Sequence, residues 1–143
     1  MVSPDYYVGI DADIRRTQFA SKLNPGYKFH PLQSNELPLD DHKIDYVLII
    51  AVLHHIPSEL IPSYLKEFRR ILKPDGRVIV IEPYLSDQTP FCNQFMRWFD
   101  RGRYIREANG YLKYFTDQQF FCDIHKKFRK CWLYNELFFS ARP

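Results

Sequence analysis

Three places in this 143-residue chain carry residue types that can do chemistry where a strand would end. Asp11 closes the run Tyr6-Tyr7-Val8-Gly9-Ile10. The segment Ala51-Val52-Leu53-His54-His55 follows the apolar run Ile44–Ile50. Glu82-Pro83 follows Arg77-Val78-Ile79-Val80-Ile81. In open parallel sheets, ligands bind beyond the carboxyl ends of the strands. A carboxylate at Asp11 can accept two hydrogen bonds from a vicinal diol such as a ribose; it can equally cap the helix that follows, and both readings stand. His54 and His55 can each act as a general base, with packing or a backbone hydrogen bond as the plainer role. Because they are adjacent, their side chains are expected to diverge. A zinc pair on a helix wants a spacing of four, as in His-Glu-x-x-His, and no second cluster completes a set, so no metal site is predicted. The 5 glycines form no phosphate-cradling loop, no Gly-x-Gly-x-x-Gly fingerprint and no Gly-x-Ser-x-Gly elbow, which excludes the common NTPase, dinucleotide-binding and hydrolase readings.

The elements that must position these residues follow from periodicity. Residues 6–10 read as a strand, and Asp13 as the N-cap of a helix with Ile14, Phe19, Ala20 and Leu23 as apolar positions. Asn24-Pro25-Gly26 stops that helix, and 27–32 is a second strand. Ile44–Ile50 is nearly continuous in its apolar character, which predicts a strand covered on both faces. Ile61, Tyr64, Leu65, Phe68, Ile71 and Leu72 make one stripe of an amphipathic helix over about 62–72; Lys73-Pro74-Asp75-Gly76 ends it, and 77–82 is a further buried strand. Strand, helix, strand is a βαβ unit with parallel strands and a right-handed crossover. Phe95, Met96, Trp98 and Phe99 suggest a helix broken at 100–103. Thr116-x-x-Gln119 fits a capping box before an amphipathic stretch over 120–125. Two terminal strands, 131–134 and 137–140, are expected around Asn135-Glu136. The class is α/β.

Length bounds the chain to one domain, 1–143. A 45% hydrophobic and 26% charged composition is that of a globular chain. The net charge of +3 demands neither nucleic acid nor a membrane surface. It is uneven: residues 1–96 carry 10 basic and 12 acidic side chains, residues 97–143 carry 10 and 5. The run Lys126, Lys127, Arg129, Lys130 reads as a solvated face, with an anionic substrate as the minority reading. Cys92, Cys122 and Cys131 are odd in number and unpaired by motif, which fits reduced thiols. No apolar stretch is long enough to span a bilayer, and the expected location is cytoplasmic.

Taken in order and spacing, Val8-Gly9-Ile10-Asp11, Glu36-Leu37-Pro38-Leu39, Ile44-Asp45-Tyr46-Val47, Val52-Leu53-His54-His55-Ile56 and Glu67-x-x-Arg70-x-Leu72-Lys73-Pro74-x-Gly76 resemble the class I S-adenosylmethionine-dependent methyltransferases. The match covers about residues 6–83, with strand and helix order carrying it loosely to the end. The resemblance implies a seven-stranded Rossmann-like, mostly parallel open sheet with flanking helices and a C-terminal antiparallel strand pair. It implies methyl transfer from S-adenosylmethionine to a small-molecule acceptor. Asp11 would hold the cofactor ribose hydroxyls, and Ala12 would lie near the adenine. Gln33 and Ser34 stand where the family usually has an acidic residue or Asn at the adenine amino group. Ala51, Val52 and Leu53 would lie beneath the methionine and sulfonium end, and residues 84–115 would form an acceptor pocket or lid. In the family a first strand and a glycine-rich loop precede the strand that matches Tyr6, where only five residues stand here. The expectation is therefore an N-terminally truncated domain. Either the Tyr6 strand slides inward to fill the gap, or a second copy covers it as a homo-oligomer. The alternative function is a non-catalytic methyltransferase-like module that associates with a partner chain.

Overall fold

A computed structural model describes residues 3–34, 36–100 and 103–143. The chain divides into two compact units, Met1–Leu39 and Asp40–Pro143. In the first, β1 (Val8–Asp11) and β2 (Lys28–Pro31) pair in parallel and are connected by α1 (Ile14–Leu23). Asp13 is the N-cap, its carboxylate accepting the Arg15 N–H at 2.9 Å. Of the apolar positions on α1, Ile14, Phe19 and Leu23 are exposed, and the helix residue that is buried is Thr17, whose hydroxyl donates to the Ile14 carbonyl. Gly26, at φ +104°, turns the chain out of the helix in the left-handed region that favours glycine.

In the second unit, β3 (Ile44–Ile50), α2 (Ile61–Ile71) and β4 (Leu72–Leu85) form the predicted parallel βαβ unit. β4 starts earlier than expected, because Leu72 already pairs with Ile44 and residues 73–76 bulge before the register resumes at Tyr46 and Arg77. Beyond it come α3 (Pro90–Phe99), β5 (Arg106–Glu107), α4 (Ala108–Asp117), β6 (Phe121–Lys130) and β7 (Tyr134–Arg142). The sheet order is β3-β4-β7-β6, with β5 beside the end of β4; β7 is antiparallel to both its neighbours. Leu65 and Phe68 of α2, Val78 and Val80 of β4, Phe115 of α4 and Phe139 of β7 are core residues. The Phe115 and Phe139 rings meet edge to face at 5.2 Å, an arrangement that adds about 0.5–1.5 kcal/mol to area burial.

Several expectations are corrected. The seven strands among the described residues form a two-stranded and a five-stranded sheet rather than one. β1 pairs with β2 and with no other described strand, so of the two alternatives for the strand near Tyr6, pairing within the larger sheet is not the one observed. β3 is not covered on both faces: at the sheet edge, Tyr46, Leu48 and Ile50 are 62%, 57% and 57% exposed while Ile49 is buried. Residues 121–125 belong to β6, not to an amphipathic helix. Thr116 and Gln119 close α4 rather than cap a new helix, the chain turning at Gln119 with φ +61°. The hairpin reverses at Cys131 and Trp132 (φ 50° and 64°), and Asn135-Glu136 lies inside β7. Lys126, Lys127, Arg129 and Lys130 lie on β6, an edge strand, where charge discourages pairing with foreign strands.

Candidate active site

In the first unit, the parallel pairing that sets Asp11 opposite Pro31 brings Asp11 and Ala12 to the same sheet end as Gln33 and Ser34. The Leu32 N–H donates to the Asp11 carbonyl at 2.9 Å and closes that end. Asp11 Oδ1 accepts the Asp13 N–H at 2.8 Å, next to the N-cap, and Oδ2 lies 3.6 Å from the Arg16 guanidinium. The side chain stays 39% exposed, so oxygen lone pairs remain accessible to a diol. Ser34 is engaged locally, its hydroxyl accepting the Glu36 N–H at 3.2 Å.

In the second unit, the strand ends of β3 and β4 build a tightly held loop. Ala51 leaves β3 with φ +54° while its N–H still donates to the Ile81 carbonyl at 2.9 Å. Glu82, with 0% exposure, stands under the next turn. Its Oε1 accepts the N–H groups of Val52 and Leu53, both at 2.7 Å, and its Oε2 accepts the His54 N–H at 3.3 Å and His54 Nδ1–H at 2.7 Å. An ionised carboxylate in the interior is costly unless its lone pairs are satisfied, and four donors do that here. Ala51 and Val52 are left exposed at the strand end, which is where a ligand in this architecture would lie.

The outer side of the loop is fixed by Arg106. Its Nη1 donates to the Leu53 carbonyl at 3.0 Å and its Nη2 to the Ile56 carbonyl and the Ser58 hydroxyl, each at 3.0 Å. The guanidinium also lies 5.2 Å from the Tyr114 ring centroid. Arg106 thus serves the loop backbone. Tyr111, behind it, donates to the Pro83 carbonyl at 3.0 Å, and burial followed by the nearby Glu82 charge pushes its phenol pKa far up.

The two histidines do not diverge as expected. Their rings lie 4.1 Å apart between centroids, and Asp100 at the end of α3 stands beside them, its Oδ1 3.3 Å from His54 Nε2. Tyr134 of β7 donates to Asp100 Oδ2 at 2.6 Å; burial first, and then that bond, push its pKa well up. Asp100, Tyr134 and the clamping role of Arg106 escaped the sequence reading, since Asp100 looked like a helix break and Tyr134 like ordinary strand. Glu82 did carry a signal: it is an acidic residue directly after the apolar run Val78-Ile79-Val80-Ile81. A groove of about 470 Å³ opens beside the end of β4, among Tyr84, Ser86, Thr89, Lys127, Arg129 and Asn135.

Each unit thus holds a parallel βαβ arrangement, the first with Asp11 at the end of its first strand and the second with a carboxylate-held loop after its first strand. The chain belongs to the methyltransferase-domain family, whose profile matches residues 3–80 and whose methyl donor is S-adenosylmethionine. Demethylmenaquinone methyltransferase of Bacillus subtilis is 38% identical over 77 residues, covering 54% of this chain and 31% of that protein. The same enzyme of Bacillus cytotoxicus is 45% identical over 75 residues, 52% and 30% of the two chains. The chain thus spans under a third of the length of these curated relatives. Among solved structures, the YcgJ protein of Bacillus subtilis superposes with a TM-score of 0.75 at 16% identity, over 94% of this chain and 81% of that one. A possible histamine N-methyltransferase of Thermotoga maritima gives 0.73 at 16% identity, over 94% and 72%. These likenesses show the fold.

Proposed function

We propose that the chain takes part in S-adenosylmethionine-dependent methyl transfer to a small apolar acceptor of the demethylmenaquinone kind. The observation that carries this reading is the exposed Ala51-Val52 turn at the end of β3, pinned from beneath by the buried Glu82 carboxylate. By their match to the family, Asp11, Ala12, Gln33 and Ser34 of the first unit are the candidates for the ribose and adenine, and Ala51 to Leu53 of the second unit are the candidates for the methionine end. S-adenosylmethionine supplies an activated methyl group, so the protein's work is alignment, which can contribute about 7–11 kcal/mol to a two-reactant step. His54, buried with both ring nitrogens facing carboxylates, positions the loop; His55, on the exposed side of the same turn, is the base candidate where the acceptor must lose a proton. The residues between 84 and 115 line the acceptor's approach.

We further propose that the open β3 face carrying Tyr46, Leu48 and Ile50 is covered by association, either with a second copy or, in the non-catalytic alternative, with a partner methyltransferase chain. The three cysteines, all free, fit a cytoplasmic, reducing setting. No described helix is long and apolar enough to cross a membrane. Calorimetric titration with S-adenosylhomocysteine tests the leading reading: binding that weakens at least about tenfold in Asp11→Ala, a loss of about 1.4 kcal/mol, supports it. No heat at high micromolar ligand sinks catalysis by this chain.

A further inference from the structure

We propose that the hairpin turn between β6 and β7, together with the outer face of α3, is a docking surface for an anionic lipid bilayer, a surface that does not depend on the methyl-transfer reading. The chain has 2 tryptophans, and both lie here: Trp98 of α3 is 74% exposed and Trp132 of the turn 85%. Phe91 and Phe99 of α3 are exposed as well. Contiguous open apolar surface of this kind marks an interaction site. The rings belong to one region. Cys92 Sγ donates to the Trp132 carbonyl at 3.5 Å and sets the first turn of α3 against the hairpin turn. The Phe95 ring, stacked on Phe99 at 4.6 Å, meets Tyr134 edge to face at 6.1 Å and continues that contact along the helix. Phe91, Phe95 and Trp98 are spaced at i, i+4 and i+7, so they share one stripe of α3, while Cys92 and Met96 are its buried residues.

Charge selects a bilayer as the occupant. Lys127 and Arg129 stand two apart on β6, hence on one face of the strand, and both are exposed. With Trp132, Ser86 and Thr89 they line the groove of about 470 Å³ beside the turn. Lys127 Nζ lies 5.8 Å from the Tyr84 ring centroid, and neither cation is ion-paired among the described residues. Lys126 and Lys130 on β6 and Arg97 on α3 are further exposed cations; the exposed carboxylate of the adjoining 86–89 segment is Asp87. A whole-chain charge of +3 does not ask for a membrane, but its concentration beside open rings does. Aromatic side chains settle at headgroup level, where the ring meets apolar chains and the indole N–H stays wet. Basic side chains next to them are drawn to anionic headgroups, and two cations with hydroxyls in one groove suit a phosphodiester. The surface would lie on the bilayer rather than cross it. α3 falls within the 84–115 segment, so an acceptor dissolved in lipid would meet the chain at this face.

The test uses the full chain with extruded vesicles at low ionic strength, without S-adenosylmethionine. Vesicles of phosphatidylglycerol and phosphatidylcholine in equal parts should carry the chain upward in a density gradient; phosphatidylcholine alone should not. Because both tryptophans sit on the proposed surface, their emission should shift to shorter wavelength on binding and become shielded from acrylamide. Joint replacement Lys127→Gln and Arg129→Gln should weaken binding at least about tenfold, the scale of two basic groups leaving an anionic surface. Joint replacement Phe91→Ser and Trp132→Ser should do the same. All four side chains are exposed, so circular dichroism should show both double variants folded. Lys22→Gln, in the other unit, should bind as the parent does. The proposal is overturned if the mixed vesicles carry no protein, if phosphatidylcholine alone carries as much, if tryptophan emission stays unchanged on binding, or if either double variant floats as the parent does. It is equally overturned if single-stranded RNA, or a rise in protein concentration, moves the emission where vesicles do not, since a nucleic acid or a second copy would then cover the rings. Failure of S-adenosylhomocysteine to bind would leave this result untouched, because the readout is vesicle binding alone.

Discussion

Replacing Glu82 by Gln is the sharpest probe of how the loop after β3 is held. The carboxylate accepts four hydrogen bonds at 0% exposure, two on each oxygen. An amide keeps one accepting oxygen. With that oxygen under Val52 and Leu53, the NH₂ group faces the His54 N–H, donor against donor, and one buried N–H is orphaned at a cost of about 1–3 kcal/mol. The bonds that survive lose their charge assistance, worth about 1–2 kcal/mol more. The sum is about 2–5 kcal/mol, a large share of a typical domain stability of about 5–15 kcal/mol. In urea, with slopes of about 1–3 kcal/mol/M, the midpoint should fall by roughly 1–3 M. Amide exchange should accelerate most at Val52, Leu53 and His54. A loss below about 0.5 kcal/mol, the scale of a plain surface change, with unchanged exchange at these three amides, would refute the claim that Glu82 holds the turn.

Arg106→Met keeps the aliphatic stem but strips the donors to Leu53, Ile56 and Ser58; a loss of about 2–4 kcal/mol and faster exchange at the Tyr104 amide, which donates to the His54 carbonyl, are expected by denaturation and exchange mass spectrometry. Gly76→Ala would place a Cβ 3.0 Å from the Ile44 and Lys73 carbonyl oxygens and 2.9 Å from Leu72 Cδ2; backbone oxygens cannot step aside cheaply, so thermal unfolding should show a loss of about 1–3 kcal/mol. The Arg15 hydrogen bonds hold Asp13 at about 2, below its ordinary 3.8. A carboxyl depressed on folding stabilises above its unfolded pKa and ceases to as pH falls through the folded one, so the cap on α1 should weaken between about pH 4 and 2, read from the Asp13 carboxyl shift by NMR. If the β3 face is an association surface, Leu48→Lys should convert the light-scattering mass to that of one chain; a single-chain mass for the parent at micromolar concentration would sink that idea.

What the sequence made legible was whatever a local pattern dictates. The stripe on α2, the apolar run of β4 and the cap at Asp13 are each imposed by neighbours within one turn or one strand, and all three stand. α4 was missed although Ala108, Tyr111 and Phe115 are buried at helical spacing. Asn109 and Gly110 lower its intrinsic preference, and tertiary packing of the aromatic face overrides that. The hairpin turn at Cys131-Trp132 has none of the Asn or Gly residues that ordinarily mark positive φ, so no local signal could have placed it. The same division runs through the motif residues. Arg70 is held by Glu67 at 2.7 and 3.0 Å and by Asp41 at 2.6 Å, and Gly76 has no room for a side chain. These members of the most family-like segment build the scaffold rather than the site.

That division explains why the candidate site is assembled from residues so far apart in sequence. A loop after a strand end ordinarily belongs to the least stable part of a fold. Here Glu82 holds residues 52–54 from beneath, while Arg106 holds the carbonyls of Leu53 and Ile56, so a negative and a positive side chain grip opposite ends of the Leu53–His54 peptide. Apart from His54 Nδ1 and the Ser58 hydroxyl, the partners in these contacts are main chain, so they carry little sequence information beyond the charges of Glu82 and Arg106. Side chains on the loop are consequently free to vary, and its path is not. For a reaction in which alignment of donor and acceptor supplies much of the rate, a fixed loop path is the property that matters. His54 extends the same logic, since Glu82 fixes its backbone and its ring together, and the direction of its remaining nitrogen toward Asp100 follows from that single carboxylate.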